Sequence, residues 1–396
     1  MNTQVESVSI WIRCVPLTCC CCLVWLMTDR ASSADRKPRA RDLGVPFAGT
    51  PGPRNALTDV PGVEVGHTTL ISGTGPLVVG HGPVRTGVTA VLPRGKNCLD
   101  AVFAGWFSLN GAGEMTGTAW IDESGLLEGP VLITNTHSVG VVRDAVVDWM
   151  VRRGSTKRFH LPVVAETYDG FLNDVNGFHV KAEHAIAALE GASAGPVAEG
   201  NVGGGTAMIA HRFKGGIGTA SRRLSESEGG YIVGVLVQAN YGSREQLRIA
   251  GAPVGEEITD LLPETGEVGG DGGSIIIVVA TDAPLLPVQL KRLARRAALG
   301  LARNGSVAGN SSGDLFLAFS VANRGTAETE NVAEIKMLSH ERITPLFAAT
   351  VEATEEAIVN ALVAAETMTG INGNTVHALP HDRLREVLKK YNRLAE

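Results

Sequence analysis

A serine that directly follows a cluster of glycines is the residue of this sequence best placed to do chemistry. Residues 269–273 read Gly-Gly-Asp-Gly-Gly, and Ser274 then opens the apolar run 274–280. Glycines allow backbone conformations that other residues rarely reach, and strain at the Gly273–Ser274 bond would help the serine hydroxyl attack the preceding carbonyl. An N→O acyl shift and hydrolysis would leave Ser274 as a new N-terminus, whose free amine could serve as the base for its own hydroxyl. A glycine turn that only leads into a buried strand would give the same pattern without chemistry.

Other motifs that suggest a cofactor or a metal lack the spacing that such sites need. The cluster at 203–206 has no apolar strand before it, as a dinucleotide-binding turn requires, and 95–97 lacks the serine or threonine of a phosphate loop. None of the ten histidines stands in a His-Glu-x-x-His motif, and no Gly-x-Ser-x-Gly elbow occurs. The sequence therefore predicts neither a cofactor nor a bound metal.

The elements that must position Ser274 follow from the spacing of the apolar residues. Continuous apolar runs predict strands that are covered on both faces, and these runs lie at 88–92, 131–136, 161–165, 231–239, 274–280 and 315–321. Helical periodicity predicts helices at 139–153, 180–190, 284–303, 345–368 and 381–394. No repeat or Pro/Ser-rich linker divides this region, so one α/β domain over 46–396 is expected, with sheets inside and helices outside.

The first residues differ in composition from the rest of the chain. Arg13 precedes an apolar stretch at 14–27, and small residues follow it, which is typical of a secretory signal peptide over 1–34. The alternative interpretations are an uncleaved membrane anchor and a start codon that was assigned too far upstream. A polar and basic linker is predicted at 35–45. We therefore expect a periplasmic or secreted protein with no stable membrane association after signal cleavage, in which only Cys98 of the six cysteines remains.

The overall composition is that of a folded protein without a nucleic-acid partner. Hydrophobic residues make up 44% of the chain and charged residues 19%, and the formal charge is −6. No basic stripe is available to neutralise phosphates, so a nucleic-acid-binding function is excluded. The 48 glycines fall in short clusters between apolar runs, which indicates many tight turns.

The segment around Ser274 resembles the self-processing site of the L-aminopeptidase/D-esterase (DmpA-type) family, which includes the β-peptidyl aminopeptidases. Four further segments resemble the same family in order along the chain. They are Asn55–His67 at the start of the domain, the glycine-rich loop Asn201–Thr206, the strand end Val237–Gly242 and the second catalytic segment Asn310–Ser320. The resemblance therefore extends over nearly all of the chain from about residue 42 to 380.

This resemblance implies a four-layer αββα sandwich, like that of the N-terminal-nucleophile hydrolases but with different connectivity. It implies self-cleavage into an α chain (35–273) and a β chain (274–396) that stay together, as a homo-oligomer of such pairs. The implied activity is that of a serine aminopeptidase, amidase or esterase, which releases N-terminal residues, including D- or β-amino acids, from short peptides, amides or esters. An ornithine acetyltransferase-like acyltransferase is the alternative, although that family usually cleaves itself before threonine. A non-catalytic α/β protein is the third possibility.

The resemblance also implies a role for individual residues of the processing site. Ser274 is the nucleophile. Asn240 ends a predicted strand, where its amide could donate to a developing oxyanion, or could only satisfy the turn at 241–242. Ser312 and Asp314 could orient Ser274 and tune its amine, or could be ordinary turn residues. Some members of the family carry glutamate at the position of Asp314, so this chain has a shorter side chain there.

Two residues after the predicted strand 161–165 are candidates for substrate binding. An aminopeptidase needs an anion to hold the free ammonium of its substrate, and Glu166 is expected to supply it. Tyr168 is expected to line the pocket or to assist the oxyanion. The neighbouring Asp169 fits a solvated acidic turn equally well.

Overall fold

Two stacked β-sheets with helices on both outer faces form the unit Pro38–Glu396. The structure is a computed structural model that describes residues 1, 37–266, 273–329 and 331–395. The predicted signal segment 1–34 therefore lies outside the described residues, apart from Met1. In the part of the chain that the structure describes, no helix is long and apolar enough to span a bilayer.

Fourteen strands occur within the described ranges. They are β1 (Glu64–Ser72), β2 (Val84–Leu92), β3 (Val102–Gly111), β4 (Leu126–Leu127), β5 (Val131–Asn135), β6 (Val163–Thr167), β7 (Ile209–Ala210), β8 (Phe213–Lys214), β9 (Gly216–Arg223), β10 (Ile232–Asn240), β11 (Ser274–Thr281), β12 (Gly313–Ser320), β13 (Met368–Thr369) and β14 (Thr375–Val376). The α-helices of the same ranges are α1 (Thr118–Ser124), α2 (Val139–Arg152), α3 (Ala182–Glu190), α4 (Val254–Glu257), α5 (Pro287–Arg303), α6 (Thr344–Ala364) and α7 (His381–Lys390).

The first sheet has the strand order β1-β2-β5-β6, and the second has the order β4-β3-β12-β11-β10-β9. Strand β11 lies inside the second sheet, where it pairs antiparallel with β10 and parallel with β12. In this register Ser274 stands opposite Asn240 on one side and opposite Gly313 on the other. The sheet thus brings together three positions that are far apart in the sequence.

Alternation along β11 shows how the layers are built, since successive side chains of a strand point to opposite faces. Ile276 and Val278 belong to the core between the two sheets, together with Ile133 of β5. Ile277, on the other face, belongs to the core under α5 and α6. The outer face of the first sheet packs against α2 and α3, where Leu132 is buried. The four layers are therefore helix, sheet, sheet and helix, and the predicted αββα sandwich is confirmed.

The predicted linker over 35–45 is wrong for residues 38–45. Ala40–Leu43 forms a short 3-10 helix with Ala40 fully buried, and the Ala40 N–H donates to Oδ1 of Asn360 at 3.0 Å. Arg41 pairs with the buried carboxylate of Glu356 at 2.7 Å. The basic residues that suggested a solvated linker are thus neutralised by acidic residues far along the chain, and the compact unit begins at Pro38.

The start of α5 also differs from the prediction. The helix begins at Pro287 rather than at Pro284. Asp282, which precedes the helix, does not cap it: its carboxylate accepts the backbone N–H of Ile232 at 2.8 Å. It therefore ties the start of β10 to the end of β11, as a cross-strand contact.

Candidate active site

The Gly273–Ser274 bond lies at the edge of a cavity of about 660 Å³. Ser274 is the first residue of β11 and is 5% exposed. The cavity is also lined by Glu166, Tyr168 and Asn240. The structure therefore brings four of the predicted site residues to one place, together with the bond that is expected to break.

The backbone N–H of Gly313 points at both atoms that self-cleavage would use. It lies 3.1 Å from the carbonyl oxygen of Gly273 and 3.2 Å from Oγ of Ser274. A donor at the carbonyl oxygen polarises that carbonyl and would stabilise negative charge that develops there. Gly313 could not be recognised from the sequence, because every residue except proline carries a backbone N–H.

Gly313 can approach this closely because it has no side chain. A methyl group at residue 313 would lie 2.7 Å from the carbonyl oxygen of Ala112 and 2.8 Å from Cα of Gly113. Both contacts are with backbone atoms, which cannot rotate away. The approach of the Ala112–Gly113 backbone to β12 therefore requires glycine at this position.

Asn240 is the last residue of β10, as predicted, and its amide is oriented by two hydrogen bonds. Its Oδ1 accepts the backbone N–H of Ile209 at 2.8 Å, and its Nδ2 donates to the carbonyl oxygen of Tyr168 at 3.1 Å. Within the described residues the second N–H of this amide has no partner. It is therefore available to an oxyanion at Ser274, the residue that stands opposite Asn240 in the sheet.

Ser312 and Asp314 are joined to each other, and Gly313 lies between them. The Ser312 hydroxyl donates to Oδ1 of Asp314 at 2.7 Å, and both residues are buried. Burial raises the pKa of Asp314 above its ordinary value, although hydrogen bonds from Ser312 and from the backbone N–H of Ile275 oppose the rise. In the described part of the chain neither side chain hydrogen-bonds Ser274, so the structure links them to the nucleophile through the Gly313 backbone.

Tyr241 is a buried neighbour of this pair that the sequence analysis placed only in a turn. Its hydroxyl and Oδ2 of Asp314 are both buried, and neither has a hydrogen-bond partner among the described residues. Burial raises the pKa of Tyr241 well above its ordinary value, and the charge of Asp314 raises it further. The phenol therefore stays protonated and retains a donor near the Asp314 carboxylate.

Glu166 lies within β6 rather than after the predicted strand, and it is 3% exposed. Its Oε1 accepts the backbone N–H of Glu114 at 3.0 Å, and its Oε2 accepts the Thr136 hydroxyl. Burial raises its pKa, while these two donors lower it. It forms no ion pair with any described residue. A buried carboxylate without a counter-ion that faces a cavity is suited to bind a cation.

Tyr168 and Asp169 follow Glu166 but lie in different surroundings. Tyr168 is 54% exposed and lines the cavity, as expected. Asp169 is 1% exposed and accepts a hydrogen bond from Nδ2 of Asn173 at 3.1 Å. Burial raises the pKa of Asp169 to about 6. The solvated-turn interpretation of Asp169 is therefore wrong, and its contacts indicate a structural role.

Thr136 and Arg212 also line the cavity, although neither was predicted from the sequence to be a site residue. Thr136 is the last residue of the predicted strand 131–136 and Glu166 directly follows the predicted strand 161–165, so a search of all strand ends would have found both. Nothing in the sequence around Arg212 indicates a position in the site. Among the described residues, no group of three or more His, Cys, Asp or Glu side chains is arranged to hold a metal ion.

Most of the chain is similar to known proteins. The family model described as peptidase family S58 matches residues 55–376. A protein named β-peptidyl aminopeptidase BapA from Sphingosinicella microcystinivorans is 58% identical over 378 residues, which cover 92% of this chain and 95% of that protein. Its namesake from Sphingosinicella xenopeptidilytica is 51% identical, with coverages of 96% and 97%.

Two solved structures resemble the whole domain. The L-aminopeptidase D-Ala-esterase/amidase from Ochrobactrum anthropi is described as a prototype of the serine aminopeptidases and as a variant of the Ntn hydrolase fold. It superposes with a TM-score of 0.85 at 48% identity, over 91% of this chain and all of that one. A β-aminopeptidase from Burkholderia sp. gives a TM-score of 0.81 at 49% identity, over 89% of this chain and 99% of that one.

Proposed function

Because the chain belongs to peptidase family S58 and is an aminopeptidase, we propose that it cleaves its own Gly273–Ser274 bond and then releases N-terminal β-amino acids from short peptides and amides. The observation that carries the proposal is the Gly313 N–H, which contacts both the Gly273 carbonyl oxygen and Ser274 Oγ. The preference for β-amino acids is supported by the names of relatives that are 58% and 51% identical.

Self-cleavage in this proposal begins with attack of Ser274 Oγ on the carbonyl carbon of Gly273. The Gly313 N–H stabilises the oxyanion of the tetrahedral intermediate. Collapse breaks the C–N bond, so that Gly273 is held as an ester on Oγ, and the Ser274 nitrogen takes up the equivalent of the proton that Oγ lost and becomes an amine. Water then hydrolyses the ester, which leaves a carboxylate on Gly273 and a free hydroxyl on Ser274.

Turnover uses the same atoms with a substrate in place of Gly273. The free amine of Ser274 accepts the Oγ proton while Oγ attacks the substrate carbonyl. The Gly313 N–H and the second N–H of Asn240 receive the oxyanion, and the amine returns its proton to the leaving nitrogen. Water then releases the acyl group from Oγ. The Ser312–Asp314 pair holds the Gly313 segment in position throughout.

Glu166 supplies the selectivity for a free N-terminus in this proposal. Its buried carboxylate accepts two hydrogen bonds but has no ion-pair partner among the described residues. The ammonium group of a substrate would compensate the Glu166 carboxylate for the hydration that it loses on burial. It would also favour the ionised form of that carboxylate. Peptides with a blocked N-terminus lack that charge and should be poor substrates.

A mass spectrum and one pair of chromogenic substrates test the proposal. The mature protein should show two chains, the smaller of which begins at Ser274, and it should hydrolyse β-alanyl p-nitroanilide faster than α-alanyl p-nitroanilide. A single chain in fully active enzyme would contradict the self-cleavage, and a preference for the α-alanyl substrate would contradict the β-selectivity. Faster release of product on addition of an acceptor amine, with transfer exceeding hydrolysis, would favour the acyltransferase alternative.

We also propose export of the protein and assembly of its two chains into a homo-oligomer of α/β pairs. Export is supported by the apolar segment 14–27 with its preceding arginine and following small residues. N-terminal sequencing of periplasmic or secreted material should show a start near residue 35, and light scattering should give a mass above that of one α/β pair. Exported protein that retained Met1, or a monomeric pair, would contradict the respective statement.

A further inference from the structure

We propose that Arg212 binds the C-terminal carboxylate of the substrate, at the side of the nucleophile opposite Glu166, so that the site is built for dipeptides with two free ends. This inference rests on the proposed function, since it assigns the substrate class of the same cavity. It adds a specificity-determining residue for the leaving group. Three observations support it: a cation without a partner among the described residues, a strained turn that presents it, and its place relative to Ser274.

Arg212 is a partly buried cation on the wall of the active-site cavity. Its guanidinium forms no hydrogen bond and no ion pair with any residue that the structure describes. Glu245 interacts electrostatically with Arg212. The Glu245 carboxylate accepts its hydrogen bond from the hydroxyl of Ser243 and not from Arg212. Among the described residues no acidic group pairs with this guanidinium, which shares a cavity with the nucleophile, and its planar donors match the two oxygens of a carboxylate.

The turn that carries Arg212 has a backbone that its residues do not favour. His211 and Arg212 form the two-residue connection between β7 and β8, with φ values of 49° and 58°. Such turns normally contain Asn-Gly or Asp-Gly, because both positions are left-handed. Residues held in such conformations cluster at functional sites, where the surrounding structure enforces them.

The surrounding structure holds this turn firmly from two sides. The His211 N–H donates to the carbonyl oxygen of Tyr241 at 2.7 Å. The guanidinium of Arg244 donates to the carbonyl oxygens of His211 and Arg212 at 3.0 and 2.8 Å. Hydrogen bonds thus fix the backbone that carries the Arg212 side chain. A binding residue needs such support for precise placement.

Glu166, in β6, and Arg212, in the β7–β8 turn, each lie close to a different strand next to β11. On the β12 side, a methyl group placed on Gly113 would lie 3.1 Å from Cα of Gly313 and 3.2 Å from Oε1 of Glu166. The carboxylate therefore lies next to the strand that supplies the Gly313 N–H.

On the β10 side, the turn of Arg212 is bonded to Tyr241, which directly follows Asn240. Because β11 lies between β12 and β10, and because Glu166, Arg212 and Ser274 line one cavity, the proposal assigns the anion and the cation to opposite sides of the nucleophile. The scissile bond of a dipeptide would then lie over Ser274, with its ammonium toward Glu166 and its carboxylate toward Arg212. A longer peptide would place an uncharged peptide group at Arg212 and lose that ion pair.

The experiment compares two substrates that differ only at the C-terminus, β-alanyl-alanine and β-alanyl-alanine amide. For the wild-type enzyme we expect kcat/KM to be at least about tenfold higher for the acid than for the amide, a difference of about 1.4 kcal/mol. In Arg212→Gln the ratio should fall toward one. Arg223→Gln is the matched control, because Arg223 is exposed and pairs with Glu226 on the surface at 3.1 Å; its ratio should equal that of the wild type.

The outcomes separate this inference from the proposed function. Wild-type enzyme that self-cleaves and hydrolyses β-alanyl p-nitroanilide, but treats the acid and the amide alike, overturns the role of Arg212 alone. An unchanged ratio in Arg212→Gln also overturns it. If Arg212→Gln does not mature, the wild-type ratio is measured against salt: the ratio should fall as salt screens the ion pair, and a salt-independent ratio counts against the proposal. Protein that neither splits nor hydrolyses either β-alanyl substrate contradicts the proposed function itself.

Discussion

The backbone N–H of Gly313 donates to the carbonyl oxygen of Gly273 at 3.1 Å. The carbonyl that precedes Ser274 is therefore polarised in the uncut chain, before any substrate is present. After cleavage the same N–H would face the carbonyl of a substrate. One donor can thus serve both reactions, and substitutions at this position should affect maturation as well as turnover.

Gly313→Ala should slow self-cleavage at least about a hundredfold, which is the usual effect of losing one oxyanion donor. The added methyl group would lie 2.7 Å from the Ala112 carbonyl oxygen and would push the N–H away from Gly273. Gel electrophoresis after a fixed time measures the fraction cut. Gly140→Ala is the control, because its added methyl group would have no atom within 4 Å apart from its chain neighbours and the adjacent backbone of α2. Normal cleavage in Gly313→Ala would remove Gly313 from the mechanism.

Ser274→Ala should abolish both maturation and turnover, whereas Ser274→Cys should retain some of each. The alanine side chain fits the buried start of β11, so the precursor should stay folded and soluble. Loss of a nucleophile typically lowers the rate by several powers of ten. Mass spectrometry detects the cut, and Ser227→Ala, at an exposed serine, controls for expression. A Ser274→Ala protein that still split at the same bond would show that the nucleophile is misassigned.

Glu166→Gln should raise KM for substrates with a free amine at least about tenfold, with a much smaller effect on self-cleavage. Glutamine can still accept the Glu114 N–H but carries no charge, and self-cleavage involves no substrate ammonium. Steady-state kinetics on β-alanyl p-nitroanilide, together with a gel time course of maturation, separate the two steps. Equal damage to both would mean that Glu166 only supports the structure around Thr136.

The rate of self-cleavage should fall at low pH because Asp314 must be ionised to hold the Ser312 hydroxyl. Burial raises the pKa of this carboxyl above the ordinary 3.8, so the acid limb should begin at a higher pH than for an exposed aspartate. The uncut chain has no amine at Ser274, so that group does not contribute. Cleavage rates of purified precursor measured across pH test this, with Asp314→Asn as the comparison. If the cleavage rate of Asp314→Asn falls at low pH in the same way, the titrating group is not Asp314.

His67 should make the free energy of unfolding decrease as the pH is lowered from about 6.5 to about 4. Burial lowers the pKa of this histidine from 6.5 to about 4. The unfolded chain therefore takes up a proton in this range while the folded chain does not, which favours unfolding as the pH falls. A shift of this size corresponds to about 3 kcal/mol. Urea unfolding of Ser274→Ala precursor with and without His67→Asn, at pH 7 and pH 4.5, measures the difference. Identical pH dependence in the two proteins would contradict the assignment.

The sequence by itself determined the features that are local along the chain. The apolar run 274–280 predicted a covered strand, and β11 occupies 274–281. Asn240 was predicted to end a strand, and it does. Strands β1 and β3 were missed, because each leaves part of its length exposed and carries polar residues or glycine where a covered strand has an apolar run.

The tertiary structure alone decided which groups meet at Ser274. The Gly313 N–H could not be singled out in the sequence, since backbone donors are the same in nearly every residue and only sheet pairing directs one to a particular carbonyl. The position of Arg212 likewise depends on a turn that is held by Tyr241 and Arg244. The apolar periodicity of a helix or strand predicts which of its faces is buried. It does not indicate which distant element packs against that face. Residues far apart in the sequence become neighbours only when the elements that carry them pack together.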